Sequence, residues 1–177
     1  MGEIIDIIDE QDNVIGSGEK EKICPKKILH RVVTIFVLNS SGHILLQVRG
    51  KNQRHPLLYD SSVSGHVRSG ENYLEAAERE LKEELGITTD GMFFSHKTRI
   101  KTKDSNTMGE CFVTLFDGKI NYNKGEIEFA HFFSFDEIGH MVEVNRKKFS
   151  ESFLKNLKMF LERLDKTEGE ESDKEEY

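Results

Sequence analysis

The stretch GHVRSGENYLEAAERELKEELGI, residues 65–87, decides how the rest of the chain is read. Asn72 suits a helix N-cap, and Glu75 three residues on completes a capping box. Leu74, Ala77, Leu81 and Leu85 recur at helical spacing, and Gly86 is placed to end the helix. Glu80, Glu83 and Glu84 fall within little more than one turn, a wedge of roughly 100° beside the leucine stripe. Like charges at these spacings repel. Ala76 sits a turn before Glu80 on the same edge, and so small a residue leaves room for a bulky group to approach. A solvated face is one reading of the cluster, because glutamate is a good helix former. The other is a divalent-cation site, since Mg²⁺ or Mn²⁺ draws several carboxylate oxygens together and turns repulsion into chelation. Spacing alone does not choose between them.

Working outward, residues 3–9 (EIIDIID) predict a short strand, followed by a turn and a loop through Gly18. Residues 31–38 (RVVTIFVL) are β-branched and apolar, which predicts a buried strand. NSSGH turns the chain, and ILLQV at 44–48 returns as the second arm of a hairpin. Arg49 to Leu57 is a polar, basic loop, and 61–64 a brief strand leading to Gly65. Strands follow at 92–103, 110–117 and 127–134, with Asp117-Gly118 as a turn. Helices at 135–142 and 147–164 close the body, the latter striped by Phe153, Leu157, Phe160 and Leu164. Interleaved strands and helices predict one layered α/β or α+β domain over residues 1–165.

The formal net charge is −7. The last ten residues hold six acids and one lysine, so that segment carries −5 and the body is nearly neutral. Residues 166–177 are therefore expected to be an acidic, disordered tail. No basic excess calls for nucleic acid. No apolar run approaches membrane-spanning length, and MGEIIDIIDE is too acidic for a secretory signal. Two cysteines, Cys24 and Cys111, fit a reduced, cytoplasmic setting.

The flanks of the helix settle what the acids are for. Gly65, Glu71 and the run Arg79-Glu80-Leu81-Lys82-Glu83-Glu84-Leu85-Gly86 resemble the Nudix box at every defining position. Six matches at fixed offsets arise by chance with a probability of roughly 10⁻⁷ or less per start site. The resemblance implies an α/β/α sandwich with a mixed sheet and a loop–helix–loop that binds Mg²⁺ or Mn²⁺. It implies a pyrophosphohydrolase cleaving a nucleoside diphosphate linked to another moiety, by attack of a metal-activated water on phosphorus. Metal ligands would be Glu80, Glu83, Glu84 and the Gly65 carbonyl, with Glu83 and Glu84 catalytic. Glu71 and Arg79 would brace the loop. The partner would be a small nucleotide derivative, with no nucleic acid or membrane, and the chain a monomer or homodimer. A glutamate outside the box often serves as base in this family. Glu126 and Glu128 share a face of one strand, and Glu128 is preferred.

Residues 3–140 more loosely resemble the isopentenyl-diphosphate isomerase branch of the same superfamily. There, histidines matching His30 and His66 help bind a metal, and basic residues near Arg49, Lys51 and Arg54 hold the diphosphate. This chain departs from that pattern. Ser64 stands at the isomerase's cysteine, and Met108 and Glu110 stand at its glutamate pair. Serine is a far weaker acid than a thiol, and methionine does not ligate hard metals. His30, His66 and Glu110 stay open between packing and ligand roles. His43, His55, His96, His131 and His140 are expected to be surface or structural. Tyr59, Phe93 and Phe94 are candidates to stack on a base, with core packing as the alternative.

Overall fold

The computed structural model describes residues 2–172, with side chains through residue 166. The chain runs β1 (Ile4–Ile8), β2 (Val14–Glu19), α1 (Lys20–Ile23), β3 (His30–Leu38), β4 (Ile44–Arg49), β5 (Tyr59–Asp60), β6 (Val63–His66), α2 (Tyr73–Leu85), β7 (Met92–Lys101), β8 (Asn106–Leu115), β9 (Ile127–Phe133), α3 (Phe135–Asn145), a 3₁₀ turn (Arg146–Lys148) and α4 (Glu151–Ser172). The strands form one mixed sheet centred on β3, which pairs in parallel with β8 along its whole length and antiparallel with β6. The sheet separates two apolar layers. Val33, Ile35, Val37 and Leu45 face Ala76, Ala77, Leu81 and Leu85 of α2. Phe36, Ile44, Leu46 and Cys111 face Ile138 of α3 and Phe153, Leu157 and Phe160 of α4. Alternation along each strand is what feeds both layers. The result is the expected α/β/α sandwich.

Several boundaries differ from expectation. The loop expected before residue 20 contains strand β2, an edge strand on β1. Its residues Val14, Ile15, Gly16, Ser17 and Gly18 face solvent for the most part, so no period-two pattern marked it. The expected hairpin of β3 and β4 closes only at Leu38 and Ile44. Beyond that pair the two strands diverge, β3 to β6 and β8, β4 to β5 and β9. The hairpin of β7 and β8 turns at residues 102–105, which shortens the first expected strand and lengthens the second.

In α2 the capping box of Asn72 and Glu75 is formed, and Gly86 ends the helix at φ 69°. Leu74 is not part of the buried stripe; it is 42% exposed. Tyr73 takes the inward place in that turn, with its hydroxyl donating to Asp12 and the cations of Arg31 and Lys97 over its ring. Ala76 is fully buried in the core, so it offers no room to a ligand. Leu164 is also partly exposed, at 37%. Helix α4 runs on through Ser172, into the stretch expected to be a tail, and residues 173–177 lie outside the described residues. Among the described residues no helix is long and apolar enough to cross a membrane.

Candidate functional site

Strand β6 delivers Gly65 against the inner face of α2. A Cβ on Gly65 would stand 2.1 Å from Glu80 Cδ and 2.3 Å from its Oε1. Only glycine lets a carboxylate lie on the strand at this point. Glu80 and Glu84 are buried, at 9% and 5% exposure. The acids expected on a neighbouring open edge thus point into the sheet, and Glu83 alone of the three is exposed.

Counter-charge is shared unevenly. Arg79 donates twice to Glu71, at 2.7 and 2.9 Å, then to Glu80 at 2.7 Å, Glu83 at 3.3 Å and the His66 carbonyl at 2.9 Å. It ties the loop before α2, the helix and β6 together. Arg68 adds contacts to Glu3 and Glu83. Glu84 receives only the neutral Gln47 amide, at 3.0 Å. Among the described residues no cation pairs with it. Burial, then the nearby charge of Glu80, pushes the Glu84 carboxyl well above the usual carboxylate range. Burial also raises Glu80, against the pull of Arg79.

The charges felt by Glu84 also include Glu126 and Asp60. Glu128 is not among them. Its carboxylate is exposed and lies 3.3 Å from Lys51. Glu126 is half-buried, and its carbonyl accepts from the Gly50 amide at 2.7 Å. Of the two acids, Glu126 is the one whose charge bears on Glu84, and its carboxylate accepts from the Asn123 side-chain amide at 2.8 Å. Residue 127 turns inward to the core, but the register shift opposite Val48 and Arg49 breaks the simple alternation on which the two acids were judged equivalent.

Lys51, engaged by Glu128, does not line the cleft. Arg49 and Arg54 do. Arg49 is held by Asp60 at 2.9 Å and by the Arg54 carbonyl at 2.8 Å, and Arg54 donates to the Asp104 carbonyl. The cleft has a volume of about 910 Å³ and reaches Ser64, the neighbour of Gly65. It also reaches Asp60, whose register partner Gln47 is the donor to Glu84, although Glu80, Glu83 and Glu84 do not themselves line it.

The histidines left open meet a residue that the sequence reading passed over. The rings of His30 and His66 stack with centroids 5.3 Å apart, and Cys24 Sγ lies 3.6 Å and 3.4 Å from their Nε2 atoms. His30 Nδ1 donates to the Ile28 carbonyl at 2.7 Å, which leaves Nε2 with a free lone pair toward the thiol. Burial lowers the pKa of His30 and lowers that of His66 to about 3, so burial favours the neutral form of both rings. The three donors lie within 4.8 Å of one another. Cys24 follows a four-residue helix with no periodic signal, and nothing local joins it to position 66.

Glu110 and Met108 do not join this group. On β3, Thr34 pairs with Ser64, whereas Val33 pairs with Glu110. Ser64 and Glu110 therefore leave the sheet on opposite faces. Glu110 is 3.6 Å from Lys97, and Met108 packs with Ile8 and Leu29. Tyr59 stacks on Phe149 at 5.2 Å as part of an aromatic layer, and Phe93 and Phe94 are exposed at the start of β7. His96 is structural: it and Thr98 both engage buried Asn156 of α4 at 3.2 Å.

Comparison with known proteins agrees with this geometry. Residues 28–157 match the NUDIX domain family. The chain is 34% identical over 166 residues to an isopentenyl-diphosphate Delta-isomerase of Serratia proteamaculans, covering 89% of this chain and 91% of that one. It is 28% identical over 174 residues to an uncharacterized Nudix hydrolase of Escherichia coli K12, YfcD, covering 97% and 93%. The crystal structure of DR0079 from Deinococcus radiodurans superposes with a TM-score of 0.72 at 24% identity, over 81% of this chain and 90% of that one.

Proposed function

The chain belongs to the Nudix family, and from that premise we propose that it is a pyrophosphohydrolase that cleaves a nucleoside diphosphate linked to another moiety, with Mg²⁺ or Mn²⁺ as cofactor. The observation that carries this reading is Glu84. It is a buried carboxylate beside a second one, with no cation partner among the described residues. Leaving such a group uncompensated costs several kcal/mol on the order of. A cradle that only Gly65 permits, lined by hard oxygen donors, fits a divalent cation. Glu80, Glu83, Glu84 and the Gly65 carbonyl would hold it. Bound there, Mg²⁺ supplies charge neutralisation for the diphosphate and lowers the pKa of a water.

The chain's own groups do the rest. Arg49 and Arg54 orient the phosphates in the cleft, Arg49 with its guanidinium already fixed by Asp60. Gln47 fixes the rotamer of Glu84. Glu126 takes the proton of the attacking water. The water oxygen bonds to one phosphorus as the bridging P–O bond breaks, and the second phosphate leaves with the bridging oxygen. Two free thiols suit a reducing, cytoplasmic setting.

The isomerase relative favours a second reading, proton transfer on isopentenyl diphosphate. Against it, the acid that transfer needs is a serine at position 64, and Glu110 faces away from it. A panel of nucleotide sugars, dinucleoside polyphosphates and nucleoside di- and triphosphates, followed by ³¹P NMR with Mg²⁺, tests the hydrolase. Phosphate-bearing products lost in Glu84→Gln are expected. Deuterium uptake from D₂O into isopentenyl diphosphate, with no hydrolysis of any panel member, would replace the hydrolase by the isomerase.

A further inference from the structure

The cleft carries more positive charge than a diphosphate requires. Seven lysines and arginines line it against three carboxylates, in a chain of net charge −7. Arg49 and Arg54 stand on the β4 side. The opposite wall is built by the 3₁₀ turn and α4, which present Arg146, Lys147 and Lys158. Among the described residues Arg146 and Lys147 have no carboxylate partner. Lys158 has only an exposed one, Glu162 on its own helix at 3.6 Å.

This wall is fixed, not a loose fringe. Phe149 stacks on Tyr59 and, at 5.6 Å, on Phe153. The Ser150 amide donates to the Tyr59 carbonyl at 3.0 Å, and its hydroxyl to Asp60 at 2.9 Å. Asp60 is the carboxylate that also fixes Arg49. The two basic walls are thus stitched together at β5, with their cations held across a concave space. Confining like charges this way is unfavourable until an anion enters.

We infer that the substrate carries a further phosphate-type group, separate from the diphosphate that is cleaved, and that Arg146, Lys147 and Lys158 receive it at the outer end of the cleft. The inference rests on the hydrolase reading and narrows its substrate class. The diphosphate lies at the inner end, at Asp60, whose register partner Gln47 is the donor to Glu84. About 910 Å³ accommodates both ends of such a molecule. The extra group is a monoester phosphate on the nucleoside or on the second moiety.

The test compares ADP-ribose with its 2′-phosphate, and a dephosphorylated with a 3′-phosphorylated adenosine diphosphate ester, as paired probes with Mg²⁺. In at least one pair the phosphorylated member is expected to have about tenfold or greater kcat/KM, the worth of one charge-assisted contact. Arg146→Glu with Lys147→Glu brings that ratio to about one or below. The turn holds no buried residue, so the variant keeps its fold, checked by thermal unfolding. Lys166→Glu, on exposed α4 outside the cleft, leaves the ratio unchanged. Equal hydrolysis within both pairs overturns the inference and leaves the hydrolase reading intact. If no probe is hydrolysed, calorimetry decides: phosphorylated members that bind no tighter than their parents overturn it.

Discussion

Gly65→Ala is the sharpest probe of the site, because its effect follows from one set of distances. The backbone of Gly65 does not need glycine, being an ordinary strand residue paired with Val33 of β3. The new methyl would nevertheless lie 2.1 Å from Glu80 Cδ, 2.3 Å from Oε1 and 2.5 Å from Cγ. Carbon atoms in contact prefer about 3.5–4.0 Å, so Glu80 must retreat by well over an ångström. Its carboxylate is buried and bonded to Arg79 at 2.7 Å. Overpacking of this kind costs about 1–3 kcal/mol, and displacing one ligand of a metal cage is expected to cost about two orders of magnitude in turnover.

Urea unfolding followed by circular dichroism gives the first quantity, and Mn²⁺ affinity by electron paramagnetic resonance with hydrolysis rates gives the second. The double variant Gly65→Ala, Glu80→Ala separates them. It removes the clashing atoms while Arg79 keeps Glu71 and Glu83. Stability should then recover most of the loss, with a coupling of about 1–2 kcal/mol, while activity stays low. If Gly65→Ala alone keeps both its urea midpoint and its Mn²⁺ affinity, Glu80 does not lie over the strand and the clamp as described is wrong.

Glu84→Gln removes a buried, unpaired charge but keeps an acceptor for Gln47, so in chelator its unfolding midpoint should be equal to or above the parent's while hydrolysis falls at least about 10²-fold; a clear loss of stability would mean the carboxylate is compensated by a group not seen here. Mg²⁺ or Mn²⁺ should raise the parent's melting temperature with concentration, as a ligand of the native state does, and the rise should vanish in Glu84→Gln under differential scanning fluorimetry. Arg79→Lys replaces a fork that reaches Glu71, Glu80, Glu83 and the His66 carbonyl by a point charge, and should cost about 1–3 kcal/mol in chemical unfolding. His96 is held below its ordinary range by burial, so the unfolded chain takes up that proton first as pH falls. Its contribution is complete above about pH 6.5 and is lost on acidification below it, by about 1.4 kcal/mol per pH unit while the folded imidazole stays neutral. Urea midpoints of the parent and of His96→Gln should therefore converge between pH 7.5 and 5, and parallel curves would count against the assignment.

The Nudix helix was legible because local chemistry writes it: the capping box, Ala77, Leu81, Leu85 and Gly86 are specified within 23 residues and the structure forms each of them, while Leu74 yields its inward place to Tyr73. Buried strands β3 and β4 were legible for the same reason. Other features depended on distant partners. Strand β2 is held by β1 and carries no burial signal of its own. The inward turn of Glu80 and Glu84 is set by β6 and Gln47, not by helical spacing, which had assigned them to an open edge. Cys24 meets His30 and His66 only through the path of α1 against the sheet. Glu126 and Glu128 could not be ranked because a register shift leaves Glu128 as the extra residue of β9, between the partners of Val48 and Arg49.

The resemblance to an isomerase and the family's hydrolytic box coexist in this chain, and strand register explains how. Residues of β6 alternate between two chemistries. Gly65 turns to α2 and receives Glu80, while Ser64 and His66 turn to the other face, toward the cleft wall and the Cys24–His30 pair. A one-residue alternation thus places a hard, oxygen-lined cage and a nitrogen and sulfur cluster on either side of a single short strand. Arg79 bonds the His66 carbonyl from the cage side, so the two cannot shift independently. An isomerase needs an acid on each side of a bound olefin, and here one is a serine and the other, Glu110, leaves the sheet with Val33 and Gly65 rather than with Ser64. What persists is an arginine-lined cleft that reaches Asp60 and, across Gln47, a buried carboxylate with no cation partner among the described residues. Those parts serve cleavage of a phosphoric anhydride, which asks for charge neutralisation and a held diphosphate, and they do not supply the paired proton donors of an allylic shift.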